Sequence, residues 1–373
     1  MGSKFDLVVV GAGIVGLSMA LAAVRRGKKV LIVERNAKAV GASIRNFGFV
    51  TVSGQREGEQ WVRARRSREI WEEVSNDAGI DVLHRGVVMP AYRAEAEAVM
   101  DAFLATPMGE ECRRLTPARA LEHVPCIRPD GMRAALWSPH ELRVESRDAI
   151  PKIAAWLERR HGVSFRWNTA VTAIDGTRIM TSRGRIEAEA CIVCPGDDFS
   201  TLFPERIALV KPRVCTLQML RVMPSQPVRF AAAVMSDLSY GRYEGFADLS
   251  EARALCARLD DELGEMRSEG IHLISVQSAD GSLVVGDSHI YCDAPEPFAQ
   301  ERIDRLILEA FDQLFDLPGR QVISRWSGTY ASASQPVMID EPADNVRLII
   351  VTSGSGASTG FALGEQVVEQ LYS

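Results

Sequence analysis

Residues 6–34 restrict the fold of this chain more than any other part of the sequence. An apolar run at 7–10 is followed by Gly11-x-Gly13-x-x-Gly16, and a helical pattern then leads through Gly27 to a second apolar run at 29–33. In this order the glycines allow a tight turn, a close approach of backbone N–H groups to a pyrophosphate, and contact between helix and strand. The segment predicts a Rossmann-type βαβ unit that binds a dinucleotide through Gly11, Gly13, Ile14, Val15 and Gly16.

Glu34 ends the second predicted strand, eighteen residues after Gly16. A carboxylate at this place accepts hydrogen bonds from a ribose diol and repels a 2′-phosphate, which favours FAD or NAD over NADP. Arg35 beside it is a further predicted contact. The lack of charge at 7–24 would also suit a membrane span. Three glycines at dinucleotide spacing and the charged strand that follows indicate a soluble core instead.

The composition is that of a soluble enzyme large enough for two domains. The chain has 373 residues, of which 46% are hydrophobic and 25% charged, and its net charge of −6 argues against nucleic-acid binding. Seven scattered cysteines do not suggest a disulfide framework, which favours a reducing cytoplasm. Cys191 and Cys194 have a spacing found in redox and metal sites, but their apolar neighbours favour a core strand, and we predict no metal.

Apolar periodicity outlines the remaining elements. It predicts helices over residues 59–79, 94–105, 116–123, 146–161, 258–269 and 301–315. Strand-like stretches at 272–278 and 282–286 predict an antiparallel sheet in the second half of the chain.

A second glycine-rich segment precedes the last predicted helix. Residues 352–360 join an apolar run at 346–351 to a helical pattern at 361–372. The N–H groups and the dipole at the start of a helix attract a negatively charged partner. The segment is therefore predicted to contact the cofactor through Gly354, Ser355, Gly356, Ser358 and Thr359.

A loop at 41–48 makes the pattern more specific, because it places Ser43, Arg45 and Asn46 between glycines directly after the acidic residue. A G-x-S-x-R-N-x-G loop in this position resembles the D-amino-acid oxidase family of flavoproteins, which includes glycine oxidase and sarcosine oxidase. The resemblance implies FAD as the cofactor. It also implies that Ser43, Arg45 and Asn46 contact the pyrophosphate and the flavin edge.

The resemblance covers essentially the whole chain. It implies an α/β (α+β) fold in which a Rossmann-type FAD-binding domain is combined with an antiparallel-sheet substrate domain. The FAD-binding domain would comprise residues 1–85, 141–210 and 325–373, and the substrate domain residues 86–140 and 211–324.

Further cofactor contacts follow from the same resemblance. Val171 would contact adenine through its backbone, and Pro195 and Gly196 would form a turn beside the nucleotide. The glycine-rich segment 352–360 would face the pyrimidine end of the flavin.

The sequence departs from better-known members of this family at three places. Tyr330 stands where amino-acid oxidases carry the arginine that binds the substrate carboxylate, and a phenol cannot make that bidentate contact. Ser327 and Gly328 stand in the region where sarcosine oxidase carries a flavin-linked cysteine, so the FAD is expected to be noncovalent. Val285 stands where sarcosine oxidase has an oxygen-activating lysine, which leaves oxygen and another electron acceptor as alternatives.

With these departures, the chain resembles a branch of the family associated with the breakdown of 2-aminoethylphosphonate and its N-methyl derivatives. The implied reaction is hydride transfer from the carbon next to a neutral amine to flavin N5, followed by hydrolysis of the imine. A tetrahedral phosphonate suits several donors spread over a pocket. The plausible donors are Arg213, Tyr240, Arg242, Tyr243, His289 and Tyr330.

Within this set, His289, Tyr330, Arg242 and Tyr243 are the predicted catalytic residues. His289 would position the substrate or receive a proton from its amine; a hydrogen-bonded structural histidine and a surface Arg242 are the competing interpretations.

Other functions stay open at this point. One is oxidation of glycine, sarcosine or a D-amino acid. Another is a flavin-binding partner protein without amine chemistry, and a third is a hydroxy-acid dehydrogenase. Homo-oligomerisation is left open.

Overall fold

The computed structural model describes residues 5–373, so the first four residues of the predicted FAD-binding range lie outside the described part. The strands are β1 (Phe5–Val10), β2 (Val30–Val33), β3 (Phe49–Val50), β4 (Val82–Ala91), β5 (Arg113–Leu115), β6 (Ala134–Val144), β7 (Ser164–Arg166), β8 (Val171–Asp175), β9 (Arg178–Thr181), β10 (Gly184–Val193), β11 (Arg213–Met223), β12 (Ala233–Met235), β13 (Ile274–Gln277), β14 (Leu283–Gly286), β15 (Ile290–Cys292), β16 (Gln321–Ala343) and β17 (Val346–Ser353). The α-helices are α1 (Ile14–Arg25), α2 (Glu59–Ala78), α3 (Ala94–Leu104), α4 (Pro117–His123), α5 (Ser146–His161), α6 (Pro204–Ile207), α7 (Glu244–Ala247), α8 (Ala252–Glu262), α9 (Gly264–Ser268), α10 (Glu301–Leu314) and α11 (Gly356–Tyr372).

The first half of the fold is a parallel sheet in the order β7–β2–β1–β10–β17. Val9 in β1 pairs with Ile32 in β2 and with Ile192 in β10. Strands buried on both faces require apolar side chains throughout, which is why these segments read as continuous apolar runs in the sequence. The glycine motif lies where β1 passes into α1, at the carboxyl edge of this sheet.

The sheet continues into an antiparallel half. β17 pairs with the long strand β16, β16 with β11, β11 with β14, β14 with β13 and β13 with β12. β12 then runs parallel to β4, which pairs with β6. The predicted α/β fold with an antiparallel-sheet part is confirmed. The exact domain boundaries stay a prediction, because the sheet passes through both parts without interruption.

Helices cover the parallel half on the side of the glycine motif. α1 packs against α11 so closely that a Cβ on Gly364 would lie 2.6 Å from the carbonyl oxygen of Ser18. Trp71 of α2 contacts Phe361 of α11 edge to face, with ring centroids 5.1 Å apart. Among residues 5–373, no helix combines the length and apolar character that a membrane crossing needs.

Two helix predictions need correction. The helix predicted over 258–269 is two helices, α8 and α9, with Leu263 between them in a non-helical conformation. Gly264 follows at once, and glycine is a weak helix former. The last helix begins at Gly356, five residues before the predicted start, so part of the glycine-rich segment forms its first turns.

Candidate active site

A cavity of about 630 Å³ lies along the carboxyl edge of the parallel sheet and extends under the antiparallel half. Its wall contains almost every residue that the sequence predicted as a cofactor contact. Those residues are Gly11, Gly13, Ile14, Val15, Gly16, Glu34, Arg35, Ser43, Arg45, Asn46, Val171, Pro195, Gly196, Gly354, Ser355, Gly356 and Ser358. The predicted catalytic residues Arg242, Tyr243, His289 and Tyr330 line the same cavity.

In the glycine motif, backbone atoms of neighbouring segments lie so close together that a side chain would not fit between them. Gly11 has φ +101°, and a Cβ on it would lie 2.5 Å from the carbonyl oxygen of Cys194. A Cβ on Gly16 would lie 2.0 Å from the carbonyl oxygen of Gly11. The buried Glu34 carboxylate accepts a hydrogen bond from Ala12 N at 2.9 Å and so fixes the turn from the neighbouring strand.

The loop at 41–48 uses its polar side chains to hold its own shape. Ser43 Oγ accepts a hydrogen bond from Ile14 N at 2.9 Å, at the start of α1. Arg45 Nε donates to Val40 O at 2.7 Å, and Trp326 Nε1 donates to Arg45 O at 2.9 Å. Asn46 Oδ1 accepts a hydrogen bond from Ser146 Oγ. These contacts fix the loop against α1 and β16, along the wall of the cavity.

Arg35 is a weaker candidate for a cofactor contact than the sequence suggests. Its side chain is about half exposed, and its Nη1 forms an ion pair with Asp198 at 2.6 Å. Asp198 also lines the cavity.

Two helices begin at this cavity without a cap from the side chain of their own N-cap residue, α1 after Gly13 and α11 after Ser355. Such helix starts present N–H groups to an anion or a polar ring edge. Thr359 is a correction to the predicted contacts. It is buried within α11, where its Oγ1 donates to Ser355 O at 3.0 Å.

The residues present fit FAD. The turn after β1 has no room for side chains, the Glu34 carboxylate lies beside it, and a second helix start lies beyond it along the same cavity. Gly354, at φ +69°, has room for only about a hydrogen, since a Cβ there would meet the Tyr330 ring at 3.1 Å.

At the end of the cavity formed by the antiparallel half, Arg242 is half-buried. Its Nη2 donates to Tyr291 Oη at 2.7 Å. Tyr243 and Tyr330 line the same region, and burial raises the pKa of both phenols above the usual value. Their hydroxyl groups therefore keep their protons and act as neutral donors.

Two of the plausible donors lie elsewhere. Tyr240 is fully buried in the apolar core, where its hydroxyl donates to Met89 O at 3.0 Å. Arg213 is largely exposed, with its Nη2 bonded to the carbonyl oxygen of Tyr291 and its Nε 3.7 Å from an Asp293 carboxylate oxygen. Neither residue lines the cavity.

His289 belongs to a group that the sequence did not reveal. His272 Nε2 lies 3.5 Å from Asp287 Oδ1, and His289 Nε2 lies 3.6 Å from Asp287 Oδ2. The two imidazole rings are 5.0 Å apart, and Tyr243 packs edge to face on His272. All of these residues line the cavity.

Burial dominates the protonation of this group. It raises the pKa of Asp287 to about 7, and Arg242 partly opposes that rise. Burial and the Arg242 charge lower the pKa of His289 to about 3, and burial, with smaller contributions from His289 and Arg242, lowers the pKa of His272 well below the usual value. Both imidazoles are therefore neutral at neutral pH.

The same three residues have the spacing of a metal site, with one ligand atom each within 4.8 Å of the others. The guanidinium of Arg242 acts on all three through its charge, and it would repel a second cation. We therefore interpret the group as one that exchanges hydrogen bonds and protons.

His272, Asp287 and Tyr291 are the residues that sequence reasoning missed. A signal existed for two of them, since Asp287 and Tyr291 each stand two residues from His289. His272 precedes a different strand and gave no signal of its own.

Comparison with solved structures finds the same fold in enzymes of low sequence identity. Glycine oxidase from Bacillus cereus ATCC 14579 has a TM-score of 0.79 at 17% identity, over 99% of this chain and 95% of that one. L-proline dehydrogenase from P. horikoshii has a TM-score of 0.79 at 19% identity, over 99% and 93%. An L-alpha-glycerophosphate oxidase from Mycoplasma pneumoniae with FAD bound has a TM-score of 0.75 at 14% identity, over 100% and 95%.

A search of curated proteins finds no match to the sequence. The profile of the family described as FAD dependent oxidoreductase (DAO) matches residues 6–370. That match spans both glycine-rich segments and every residue of the cavity described above. The chain thus belongs to the DAO family of FAD-dependent oxidoreductases.

Proposed function

We propose that this enzyme oxidises the C–N bond of a small aminophosphonate, 2-aminoethylphosphonate or its N-methyl derivative. The proposal rests mainly on the hydrogen-bond partner of the Arg242 side chain. Within the described chain, its guanidinium has a tyrosine hydroxyl rather than a carboxylate as its side-chain partner. A half-buried arginine without a carboxylate partner is suited to bind an anionic substrate group.

The groups around Arg242 favour a tetrahedral anion. Tyr243, Tyr291 and Tyr330 line the same cavity and are coupled to the Arg242 charge, and the family resemblance implies that Tyr330 replaces an arginine. A planar carboxylate is best bound by one bidentate fork, whereas three phosphonate oxygens can use donors from several directions. This donor set supports a phosphonate over a carboxylate.

The reaction divides between the cofactor and the protein. Bound FAD supplies the chemistry by accepting a hydride at N5 from the carbon next to the amine, and water then hydrolyses the resulting imine. Arg242 holds the anion, and Tyr243 and Tyr330 donate hydrogen bonds to it. The neutral His289 positions the amine end of the substrate.

We further propose that FAD is bound noncovalently. Gly328 lines the cavity, and the family resemblance implies that it stands in the region of the flavin-linked cysteine of sarcosine oxidase. Cys194 lines the same cavity, and burial raises the pKa of its thiol, which keeps it unreactive. Acid precipitation is therefore expected to leave a white protein pellet and a yellow supernatant. A pellet that keeps the flavin colour would contradict noncovalent binding.

Oxygen or another oxidant reoxidises the flavin in this proposal. Val285 is buried in the apolar core of the antiparallel half, away from the cavity wall.

We infer a cytoplasmic location from the unpaired cysteines of the described chain.

The main alternative substrate is glycine, sarcosine or a D-amino acid. The similarity to a glycine oxidase and a proline dehydrogenase favours it, and Arg242 can also bind a carboxylate. A hydroxy acid is a second alternative, since one similar structure is a glycerophosphate oxidase. A partner protein that binds FAD without amine chemistry is a third.

Anaerobic reduction of the flavin by a panel of compounds tests the proposal. The panel contains 2-aminoethylphosphonate, its N-methyl derivative, glycine, sarcosine, D-alanine and 2-hydroxyglutarate, and the readout is bleaching of the flavin absorbance. We expect the two phosphonates to bleach the enzyme fastest. Faster bleaching by glycine, sarcosine or D-alanine would overturn the phosphonate assignment, and bleaching by the hydroxy acid alone would overturn amine oxidation.

A further inference from the structure

We propose that Asp287 receives the proton of the substrate ammonium, in a subsite that it forms with His272 and His289. This inference rests on the proposed amine oxidation and goes beyond it. It assigns a catalytic residue for which neither the family nor the sequence gave a role. It also assigns the two ends of the substrate to different residues, the anion to Arg242 and the ammonium to Asp287.

The first observation is an unused acceptor. Asp287 is 5% exposed and lines the cavity, yet its Oδ1 has no hydrogen-bond partner among residues 5–373. A buried carboxylate oxygen without a donor is costly, and a native structure keeps such groups chiefly at functional sites. An alkylammonium entering the cavity offers the donor that Oδ1 lacks.

The second observation is the orientation of His289. Its Nδ1 lies 3.0 Å from Gly270 O, and a carbonyl only accepts, so Nδ1 carries the proton. Its Nε2 then faces Asp287 Oδ2 with a lone pair. A proton that reaches Asp287 can therefore be shared with His289, which makes the protonated carboxyl a stable product of the transfer.

The charges in this part of the cavity are complementary to those of a zwitterionic substrate. The groups facing it are the Arg242 cation, the neutral imidazoles of His272 and His289, the Tyr243 phenol and the Cys215 thiol. Ionised Asp287 with Arg242 gives one negative and one positive site in one cavity. A zwitterion with its anion on Arg242 has its ammonium free for Asp287.

The proton transfer balances without another reactant. One N–H bond of the ammonium breaks and one O–H bond forms on Asp287, while the electron pair of the broken bond stays on nitrogen. The products are a neutral amine and a neutral carboxyl group, and nothing is oxidised. The nitrogen lone pair is then available to assist loss of hydride from the adjacent carbon.

The pH range supports this assignment. Burial raises the pKa of Asp287 to about 7, and a general base works best when its pKa lies near the working pH. Asp287 is ionised, and able to accept the proton, above that pKa. The second-order rate constant for flavin reduction, which reports the pKa of the free enzyme, is therefore expected to rise as pH increases through about 7.

The test compares Asp287→Asn with wild type in stopped-flow anaerobic reduction across pH 6–10, with the best amine of the panel. An asparagine cannot take the proton, so at pH 7 the rate should fall about 100-fold, the lower end of the usual range for general-base catalysis. The rate of the variant should recover toward pH 10, where an alkylamine begins to lose its own proton.

Asp293→Asn is the matched control, since the Asp293 side chain is 94% exposed and lies outside the cavity. Its pH profile should equal that of wild type, and a chelator should leave both profiles unchanged. An Asp287→Asn profile with the wild-type shape would overturn this inference and leave amine oxidation standing. If no amine reduces the wild-type flavin, the inference and the proposed function fall together.

Wild type alone also tests the inference, should Asp287→Asn fail to fold or to hold FAD. Its reduction rate should level off above the Asp287 titration. A wild-type rate that keeps rising to the pKa of the free amine, near 10, would show that no protein group takes the proton, which contradicts the assignment.

Discussion

Replacement of Arg242 by alanine is expected to leave FAD bound and to lower the second-order rate constant for flavin reduction by the aminophosphonate about 100-fold or more. Truncating one partner of a buried charged pair costs about 2–5 kcal/mol, and each 1.4 kcal/mol is a factor of ten. The loss should appear as weaker substrate binding, because Arg242 contacts the anion, and near pH 7 also as slower reduction, because without the Arg242 charge the pKa of Asp287 rises further. Arg242→Lys should keep part of the rate, since it keeps the charge without the planar fork.

The matched control is Arg253→Ala, which removes an exposed arginine of α8 and should leave the rate unchanged. Stopped-flow reduction at several substrate concentrations separates the binding step from the chemical step. An Arg242→Ala enzyme with wild-type substrate affinity would show that Arg242 does not bind the substrate anion.

The substitution Gly16→Ala is expected to give a protein without bound flavin. The added Cβ would lie 2.0 Å from Gly11 O and 3.3 Å from Val9 Cγ1, so α1 has to move away from β1. Overpacking against backbone costs about 3 kcal/mol. It also displaces the N–H groups that the turn presents to the cofactor. The expected result is loss of the flavin spectrum and a lower melting temperature.

Gly264→Ala serves as the comparison for that change. Gly264 lies at the start of α9, and a Cβ built on it would have no described atom within 4 Å. This variant should be yellow and as stable as wild type. Full retention of FAD by Gly16→Ala would contradict the assignment of the glycine turn to the cofactor.

The sequence was sufficient where the physical signal is local. The helix predicted over 146–161 has the bounds of α5, and Gly162 ends it in the left-handed conformation at φ +69°. The glycine motif likewise lies within one βαβ unit, so its spacing alone located one end of the cavity. The prediction of one continuous helix over 258–269 was wrong, because the apolar periodicity continues across the break at Leu263.

The substrate end of the cavity could not be predicted in the same way. His272 and Asp287 come together because β13 and β14 pair antiparallel, with Ser275 opposite Val285. Arg242 joins them from a turn that follows β12. Such long-range pairing leaves no periodic signature in the sequence, so Tyr240 was named as a plausible pocket donor beside Arg242 although it lies in the core.

Comparison of flavin reduction by 2-aminoethylphosphonate with reduction by its two half-molecules tests whether the enzyme binds both the amine and the phosphonate group. Propylamine carries the amine without the anion, and ethylphosphonate carries the anion without the amine. We expect rapid anaerobic reduction by 2-aminoethylphosphonate, reduction by propylamine at least 100-fold less efficient, and competitive inhibition by ethylphosphonate that Arg242→Ala abolishes. Propylamine as efficient as the aminophosphonate, with no binding of ethylphosphonate, would contradict this expectation.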